Sequence, residues 1–459
     1  MDTTWPLSAA VVGLMILQVS VARNQLGSWF APGAFFGLIW AVVGVLSLSI
    51  APEFRIWPGI LWVLFMSCTA HLGGLLVSHR IPVSSGVASP GQPLPLAVPL
   101  LLVSAILGVC GVLYLVSASG QQLGSLLSIS QASIIMTYFS GLRYTDPEYR
   151  EPAMFRILSV FTFLGAYLGG MVFARSGSRS ERLAALSGIV PALLETFVLG
   201  ARTGLISFGI TWIASWCATR VYMGERRIWP NWRRALTGLG AGLAAMTGLY
   251  LIVQVVRMGT FLPGAIPVSA QYEEVVLKYS LGAAKVQIVG YAAAFSKWFD
   301  DNWDVWQTPG LGSYSFDGPA GWLGYSMGRN PDPIEVSPYG RGPEDVLSDG
   351  RVLTSNSETN VFSALRQMAF DWTLPGSSIF FLILSVVASF AYVKVCGRNA
   401  AYIPLTVLYY QIALYVTSFA LRNTVTDGAW VLFAGYLWLV SGADSSGFSP
   451  GPETVAAAR

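Results

Sequence analysis

The sequence is dominated by apolar runs about as long as a helix needs to cross a lipid bilayer, which takes about 20 residues. Of its 459 residues, 54% are hydrophobic and 11% are charged, whereas soluble domains carry about 25% charged residues. Because a backbone in hydrocarbon must satisfy its hydrogen bonds within the segment, such runs predict α-helices. The chain is therefore expected to be an all-α membrane protein with many spans.

Twelve segments have the length and composition of a transmembrane helix. They are residues 5–22, 31–50, 57–78, 96–118, 124–141, 153–173, 183–200, 203–223, 235–256, 375–394, 400–420 and 425–441. The fifth is the least apolar, because four serines and Gln131 dilute it. The predicted organisation is nine transmembrane helices in 1–258, an extracytoplasmic loop in 259–370, three transmembrane helices in 371–444 and a disordered cytoplasmic tail in 445–459. Within the loop, 270–299 reads as an interfacial helix and 310–350 as irregular structure.

The distribution of arginine and lysine predicts which side of the membrane each loop occupies, because cytoplasmic loops carry the excess of positive charge. Arg226, Arg227, Arg233 and Arg234 lie between the eighth and ninth spans. With that loop in the cytoplasm, twelve spans put both termini in the cytoplasm and the long loop outside. That loop has twelve acidic and seven basic residues, a net charge of −5, which agrees with this orientation.

The sequence does not indicate a metal or a cofactor. Its four cysteines all fall within or beside apolar runs, which disfavours a disulfide framework or a cysteine metal site. Asp300, Asp301 and Asp304 lie close together in the long loop, but a solvated helix end is the simpler interpretation. We expect no metal, no cofactor and no nucleic-acid partner.

Three arginines are predicted at the outer membrane surface, where charged residues are candidates for function. Arg202 lies in the short turn between the seventh and eighth spans, Arg422 between the eleventh and twelfth, and Arg366 where the long loop re-enters the membrane. The guanidinium fork fits phosphate oxygens two at a time, so the three residues predict a site for a lipid-linked pyrophosphate. The alternative for Arg202 is an interfacial arginine that only snorkels to the headgroups.

A transfer reaction at this site also needs a group that accepts the proton of an attacking hydroxyl. The candidates are Asp371, which follows Arg366 by five residues, Glu358 in the long loop, and His79 at the end of the third span. The sequence leaves the choice among them open.

The chain resembles the bacterial O-antigen or oligosaccharide repeat-unit polymerases (Wzy-type) over about residues 195–395. The shared features are one large outer loop before the last few spans, Ala201-Arg202-Thr203-Gly204 opening a span, Tyr279 and Gly282 followed by the stretch 312–318, and Thr359-Asn360-Val361-Phe362 leading through Arg366 to Asp371 and Gly376. The last of these is the most specific.

This resemblance implies a GT-C-like helical membrane fold and metal-independent glycosyl transfer at the outer face of the bacterial inner membrane. The substrate would be an oligosaccharide on undecaprenyl pyrophosphate, and the product a surface polysaccharide such as O-antigen or exopolysaccharide. A chain-length regulator would be a partner besides the lipid bilayer. Asn360, Tyr279 and Tyr314, which fall in the matching motifs, would contact the substrate.

Two other functions remain as alternatives. A related O-antigen ligase is disfavoured because the large loop contains no histidine, a residue that the ligases favour there. A flippase or exporter of lipid-linked saccharide is disfavoured because transporters often show repeated halves, and the sequence shows no such repeat.

Overall fold

The structure is a computed structural model of the chain. It describes residues 4–50, 55–78, 96–145, 151–200, 203–225, 248, 296, 337–341, 345–346, 352–353, 356–359, 364–415 and 424–447. Apart from two short antiparallel ladders, the regular structure in these ranges is helical. The predicted ninth span, 235–256, has only residue 248 among them.

The helices and strands are numbered in chain order. The helices are α1 Thr4–Leu26, α2 Pro32–Ile50, α3 Trp57–Ser78, α4 Ala97–Ala118, α5 Ile129–Thr145, α6 Ala153–Arg175, α7 Arg179–Leu186, α8 Ile189–Leu199, α9 Thr203–Tyr222, α10 Ala364–Cys396, α11 Ile403–Leu414 and α12 Thr424–Gly447. Short 3-10 turns, Leu123–Leu127 and Ala400–Tyr402, precede α5 and α11. The strands are β1 Ser337–Arg341, β2 Asp345–Val346, β3 Val352–Leu353 and β4 Asn356–Thr359.

Seven stretches of the described chain are long and apolar enough to cross a membrane. They are Trp5–Leu26, Pro32–Ile50, Trp57–Ser78, Ala97–Ala118, Ala153–Arg175, Arg179–Leu199 (α7 and α8 together) and Asp371–Cys396. Two shorter apolar helices, Ala400–Leu414 and Val425–Ser441, lie in the last part of the chain. The prediction of an all-α, multi-pass membrane protein is confirmed at this level.

Contacts between side chains show that α1, α3 and α10 run in the same direction. Ser389 of α10 packs against Gly74 of α3. Eight residues earlier in α10, the ring of Phe381 lies 4.7 Å from the ring of Phe36 in α2. Gly37, the next residue of α2, packs against Ser67 of α3, seven residues before Gly74. In α1, Leu26 also packs against Gly74. Residue numbers therefore rise together along these three helices.

The helices α6, α9 and α12 form a second parallel group. Gly170 of α6 lies against the backbone of Trp216 in α9, and Arg175 at the end of α6 lies 5.8 Å from the ring of Tyr222 at the end of α9. In α12, the ring of Phe433 stacks on Tyr167 with centroids 5.0 Å apart. Three residues later, Tyr436 lies near Arg175, so α12 runs in the same direction as α6. These three helices therefore run in the same direction, and α6 and α9 end together.

The helix α4 runs in the opposite direction to α6. Gly108 of α4 packs against Thr162 of α6, and Gly111 of α4 packs against Leu158 of α6. Residue numbers thus rise along α4 where they fall along α6. A methyl group on Gly108 would lie 2.6 Å from the Thr162 hydroxyl oxygen, so this close antiparallel crossing depends on the small residue.

The two groups of parallel helices are joined at one end of the bundle. Arg398, just after α10, donates a hydrogen bond from Nη2 to the carbonyl oxygen of Met223, just after α9, at 3.3 Å. Arg175, Arg220 and Lys394 lie in the last turns of their helices at this end. We call it the basic end, defined by Arg175, Arg220, Lys394 and Arg398, and call the opposite end, where α3, α6, α9 and α10 begin, the loop end.

The predicted fifth span, 124–141, is wrong as a crossing segment. The helix α4 ends at the loop end and α6 begins there, so α5 between them makes no net crossing. Its Ile135 and Phe139 pack with Val112 of α4, Phe155 of α6 and Val198 of α8, all near the loop end. The serines that dilute this segment explain the result, because they remove much of the apolar surface that would favour insertion.

Removing one crossing changes the relation between the two ends of the chain. The helix α1 begins at the loop end, whereas α12 ends at the basic end. This differs from the expectation that both termini lie on the same side. The twelve-span prediction puts Arg23 outside and Arg55 in the cytoplasm, on the side of the arginine-rich segment. In the structure, Arg23, in the last turn of α1, lies toward the basic end, and Arg55, whose guanidinium lies 4.9 Å from the ring of Trp57, lies at the loop end.

The part of the predicted loop just before α10 contains two nested antiparallel ladders. The outer ladder pairs β1 with β4, and the inner one pairs β2 with β3. Pro338 lies opposite Glu358, and the register shifts between Pro338 and Arg341. Residues 337–341 and 345–346 were predicted to be irregular, because their Gly, Pro and Asp content favours turns. Pairing with residues 352–353 and 356–359 forms these strands, although the composition of residues 337–346 gives no sequence signal for a strand.

Candidate functional site

The loop end of α10 is built around a sharp kink. The residues before and after Thr373 are helical, but Thr373 itself has φ 62° and ψ 172°. This combination lies in a region of backbone space that only glycine normally occupies, and holding another residue there costs about 1–3 kcal/mol. Such strain persists only where the surrounding structure enforces it and is concentrated at functional sites.

The sequence around Thr373 accounts for the kink. Thr373 acts as the N-cap of the long apolar part of α10, because its hydroxyl accepts a hydrogen bond from the backbone N–H of Gly376 at 3.4 Å. Pro375 falls in the first turn of that part, where a missing N–H costs nothing. The ring of Trp372 stacks on Phe380 with centroids 5.2 Å apart. The stretch Thr373-Leu374-Pro375-Gly376 therefore starts a new helix.

Asp371 lies two residues before this kink and is fully buried, with 0% of its surface exposed. Burial of a carboxylate is expensive unless it is paired or hydrogen-bonded. A buried acid next to a strained turn is therefore held in place by the fold, which is what a group with a chemical role requires. Of the three predicted proton acceptors, it is the one whose side chain the structure describes.

A residue of the long loop is attached to the bundle at this same end. Ser296 is buried, donates a hydrogen bond from its hydroxyl to the carbonyl oxygen of Ile56 at 2.7 Å and accepts one from the N–H of Gly59 at 3.0 Å. It thereby satisfies one of the orphan N–H groups at the start of α3. Gly74 of α3 and Ser389 of α10 are in contact. Seventeen residues before them in these parallel helices are Trp57, beside the partners of Ser296, and Trp372, beside Asp371. Ser296 and Asp371 therefore lie at the same level of the bundle.

Glu195 and Gly204 mark a second feature of the loop end. A Cβ atom on Gly204, in the first turn of α9, would lie 3.2 Å from Oε1 of Glu195, so the glycine lets the carboxylate approach the helix start. Negative charge is stabilised at a helix N-terminus. Arg202 immediately precedes α9, whose first residue is Thr203. Gly200 and Thr203, the described residues on either side of Arg202, are at the same end of the bundle as Asp371.

A network of polar side chains lies inside the bundle between α6, α9 and α11. The hydroxyl of Tyr167 donates to Oε1 of Gln411 at 3.0 Å, and Nε2 of Gln411 donates to the hydroxyl of Thr211 at 2.9 Å. Tyr415 lies next to Ser207 and Thr211. Tyr167, Thr211 and Gln411 are buried. Polar groups at membrane depth are costly when unpaired, so this network both joins three helices and fixes the orientation of each member.

Asp427 stands next to this network in the first turn of α12. Tyr167 and Tyr415 are its electrostatic neighbours. Its Oδ2 atom is enclosed by protein and receives no hydrogen bond from the described residues. Ionisable residues inside membrane proteins are functional candidates by default, and this one lies five residues after Arg422.

The structure brings some of the predicted site residues to one end of the bundle and leaves others without a described position. Asp371 is described in full. For Glu358 and Arg366 only the backbone is described, in β4 and in the first turn of α10. The other predicted site residues lie outside the described residues; they are Arg202, Arg422, Asn360, Tyr279, Tyr314 and His79.

His79 is the predicted site residue most affected by the direction of the helices. It was predicted at the outer end of the third span, but Ser78, the residue before it, ends α3 at the basic end. The apolar part of α10, Asp371–Cys396, has 26 residues and is therefore about 39 Å long. That length separates the end of α3 from Asp371, so Ser78 and Asp371 do not contribute to one site.

Sequence reasoning did not single out the polar network or Asp427. A signal was present, because Gln411 and Asp427 are the polar interruptions of the last two apolar runs. Tyr167 and Thr211 gave no such signal, since tyrosine and threonine are common in buried helices. Only the packing of α6 against α9 and α11 shows that these residues share one cluster.

The chain matches no family model, no curated protein and no solved structure. The resemblance to repeat-unit polymerases therefore rests on its sequence motifs.

Proposed function

We propose that the chain is a membrane glycosyltransferase that polymerises oligosaccharide repeat units carried on undecaprenyl pyrophosphate. In each cycle a sugar hydroxyl of one lipid-linked unit attacks the anomeric carbon of the sugar attached to pyrophosphate on the other. The bond from that carbon to the pyrophosphate breaks, and the lipid pyrophosphate leaves with the electron pair. The hydroxyl proton passes to a carboxylate.

The observation that best supports this proposal is the buried Asp371 at the kink of α10. A carboxylate held in one orientation by the fold can accept the proton of the attacking hydroxyl. Glu358, in β4 of the same loop segment, is the other candidate. Arg202 immediately precedes α9 in the sequence and Arg366 lies in the first turn of α10, and both helices begin at the loop end. Together with Arg422, which precedes α12 in the sequence, these side chains would stabilise the charge of the departing pyrophosphate.

The charge distribution supports the side of the membrane on which this chemistry takes place. The basic end carries Arg175, Arg220, Lys394 and Arg398, and Arg226 and Arg227 follow closely after α9. By the positive-inside rule this end faces the cytoplasm. The loop end, with Asp371 and Ser296, then faces outward, where lipid-linked repeat units are polymerised. In this orientation the start of α1 faces outward and the end of α12 faces the cytoplasm.

The decisive experiment is deletion of the protein in its host, followed by extraction of the lipid-linked saccharides. A polymerase predicts single repeat units on the lipid carrier, accessible from the outer face. Units confined to the cytoplasmic face would instead indicate a flippase or exporter. Complete polymer on the lipid carrier that is not transferred further would indicate a ligase.

A further inference from the structure

The first turn of α7 presents two arginines at the basic end of the bundle. The helix α6 ends there, and only residues 176–178 separate it from α7. Arg179 and Arg182 are both exposed. Arg182 donates a long hydrogen bond, 3.5 Å from Nη2 to the carbonyl oxygen of Ser176, and neither guanidinium forms an ion pair with any residue that the structure describes. Most of their N–H donors are therefore available to a ligand.

The charge around these two residues favours an anion. Residues 175–186 contain three arginines and one glutamate, a net charge of +2. Glu181 lies in the same turn, and its backbone N–H donates to the hydroxyl of Ser178 at 3.2 Å, which caps the helix. A guanidinium offers a planar set of donors that fits the oxygens of a phosphate, so the arginines suit a ligand that carries phosphate.

An exposed apolar stripe runs along α7 and α8 from these arginines toward the loop end. Leu183, Leu186 and Val190 follow Arg179 at steps of four, three and four residues, a spacing that places them on one side of a helix. Residues 187–188 join the two helices with right-handed helical backbone angles, so this spacing holds across the junction. The three apolar side chains are 61%, 43% and 48% exposed. We call them the α7–α8 stripe.

The neighbouring helix α4 exposes apolar side chains at the same depth. Gly108 of α4 packs against Pro191 of α8, and both helices run from the basic end toward the loop end. Leu102 and Ile106, which precede Gly108 by six and two residues, are 42% and 63% exposed. The apolar surface next to the two arginines is therefore wider than a single helix.

The length of the α7–α8 stripe fits one acyl chain in one leaflet. The helical rise from Arg179 to Val190 is about 17 Å, and half of the hydrocarbon thickness is about 15 Å. Leu194, four residues after Val190, packs against the apolar cluster near the loop end. A soluble anion would leave the stripe unused, and a partner helix that crosses the membrane would need a face as long as the bilayer. A phospholipid has both the charge and the chain length that this surface offers.

We infer that Arg179 and Arg182 bind the headgroup of an anionic phospholipid in the leaflet at the basic end, and that one acyl chain lies along the α7–α8 stripe. Basic side chains at the membrane surface attract anionic lipids, and each raises the affinity by about fivefold. The site lies at the opposite end of the bundle from Asp371, so this lipid is a separate ligand from the substrate of the proposed reaction. The inference does not depend on that reaction.

Lipid binding to the purified full-length protein in detergent tests the site. The probe is dioleoylphosphatidylglycerol. The reference is dioleoylphosphatidylcholine, which has the same chains and no net charge. Native mass spectrometry gives the Kd of each lipid. We expect the anionic lipid to bind more tightly by about tenfold or more, and Arg179→Gln combined with Arg182→Gln to abolish this preference.

A single substitution with a matched control separates a specific site from diffuse positive charge. Arg182→Gln should weaken binding of the anionic lipid about fivefold. Arg23→Gln also removes one positive charge toward the basic end, in the last turn of α1, and should leave the Kd unchanged. Because Arg182 is exposed, the thermal stability of Arg182→Gln without lipid should equal that of the wild type, and added phosphatidylglycerol should stabilise it less.

The position of the bound chain is checked with phosphatidylglycerol that carries a diazirine on one acyl chain. Photolysis should give crosslinks within residues 183–190 or 102–106. Equal Kd values for the two lipids, an equal loss of affinity in Arg182→Gln and Arg23→Gln, or crosslinks confined to other helices would each overturn the inference. Displacement of the anionic lipid by millimolar inorganic phosphate would show a site for free phosphate, and would also overturn it.

Discussion

The hydrogen bond from Nη2 of Arg398 to the carbonyl oxygen of Met223, 3.3 Å long, holds the ends of α9 and α10 side by side. Arg398 also lies with its guanidinium 5.8 Å from the ring of Tyr222. Because α10 extends about 39 Å from this contact, its beginning at Asp371 must lie at the opposite end of the bundle. The basic residues Arg175, Arg220, Lys394 and Arg398 and the candidate site are therefore at opposite ends of the bundle.

This separation predicts the outcome of a topology experiment. In a background without native cysteines, Thr3→Cys and Ser326→Cys should react with a membrane-impermeant thiol reagent in intact spheroplasts. Thr3 immediately precedes α1 and Ser326 belongs to the long segment before α10, and both of these helices begin at the loop end. Asn231→Cys should not react until the membrane is permeabilised, since it follows α9 in the arginine-rich segment.

The position at Thr3 distinguishes the structure from the sequence prediction. Twelve spans would put Thr3 in the cytoplasm, whereas the packing of α5 at the loop end puts the start of α1 on the same side as the start of α10. Labelling of Ser326→Cys alone would restore the twelve-span topology. Labelling of Asn231→Cys alone would reverse the orientation and move the proposed chemistry to the cytoplasm.

The presence of many apolar helices was predictable from the sequence, but their directions were not. Length and hydropathy identify a helix such as α4 or α6 because the bilayer imposes a minimum length. Whether a weakly apolar segment crosses depends on its neighbours, and α5 stays at the loop end because Ile135 and Phe139 find partners there. One such segment was enough to misplace Arg23, Arg55 and the surroundings of His79.

A single acid such as Asp371 could be selected as a candidate from the sequence, but features formed by several helices together could not. Asp371 stood out as an acid at the start of an apolar run. The strained Thr373 did not, since a threonine with positive φ arises from the packing around it and no sequence pattern favours it. The contact of Tyr167 with Gln411 joins residues 244 positions apart, a distance over which local patterns carry no information.

The packing of α6 against α9 predicts a large difference between two glycine-to-alanine substitutions. A Cβ on Gly170 would lie 2.2 Å from the carbonyl oxygen of Trp212, whereas one on Gly209 would meet nothing within 4 Å. Gly170→Ala should lower the free energy of unfolding by about 1–3 kcal/mol, because the two backbones must move apart. Gly209→Ala should leave it unchanged or raise it by up to about 1 kcal/mol.

Thermal unfolding of the purified variants in detergent checks this pair, with the fluorescence of the buried tryptophans as readout. Equal stability of the two variants would show that α6 and α9 do not approach as closely as the structure has them. A loss in Gly209→Ala alone would place the tight face of α9 on its other side.

Asp371 provides the most direct test of the proposed reaction. Asp371→Asn keeps the shape of the side chain and its place before Thr373 but cannot accept a proton. If Asp371 is the general base, polymer formation should fall by about 10²-fold or more, with protein abundance unchanged and single repeat units still displayed outside. The measurement is the ratio of polymer to single units in cells that carry only the variant.

Glu358→Gln is the comparison for this experiment, because Glu358 is the other acid that the loop segment offers. Near-normal polymer in Asp371→Asn together with loss in Glu358→Gln would transfer the role of base to Glu358. Loss of protein from the membrane in Asp371→Asn would indicate a packing role, and then the pH dependence of residual activity in Asp371→Glu, which retains a carboxylate, separates the two roles.

Arg202 gives the clearest choice between an interfacial anchor and a phosphate ligand. It precedes Thr203 at the start of α9, beside the turn where Gly204 admits the carboxylate of Glu195. A snorkelling arginine needs a long stem and a positive charge, and lysine supplies both. A pyrophosphate clamp needs the planar fork of donors, which lysine lacks. We therefore expect Arg202→Lys to lose most polymer while protein abundance stays normal and single repeat units accumulate on the outer face.

Arg23→Lys is the matched control, because Arg23 is an arginine near the basic end with no proposed role in binding, and it should retain full activity. Full activity in Arg202→Lys would make Arg202 an anchor and leave Arg366 and Arg422 as the candidates that bind the pyrophosphate.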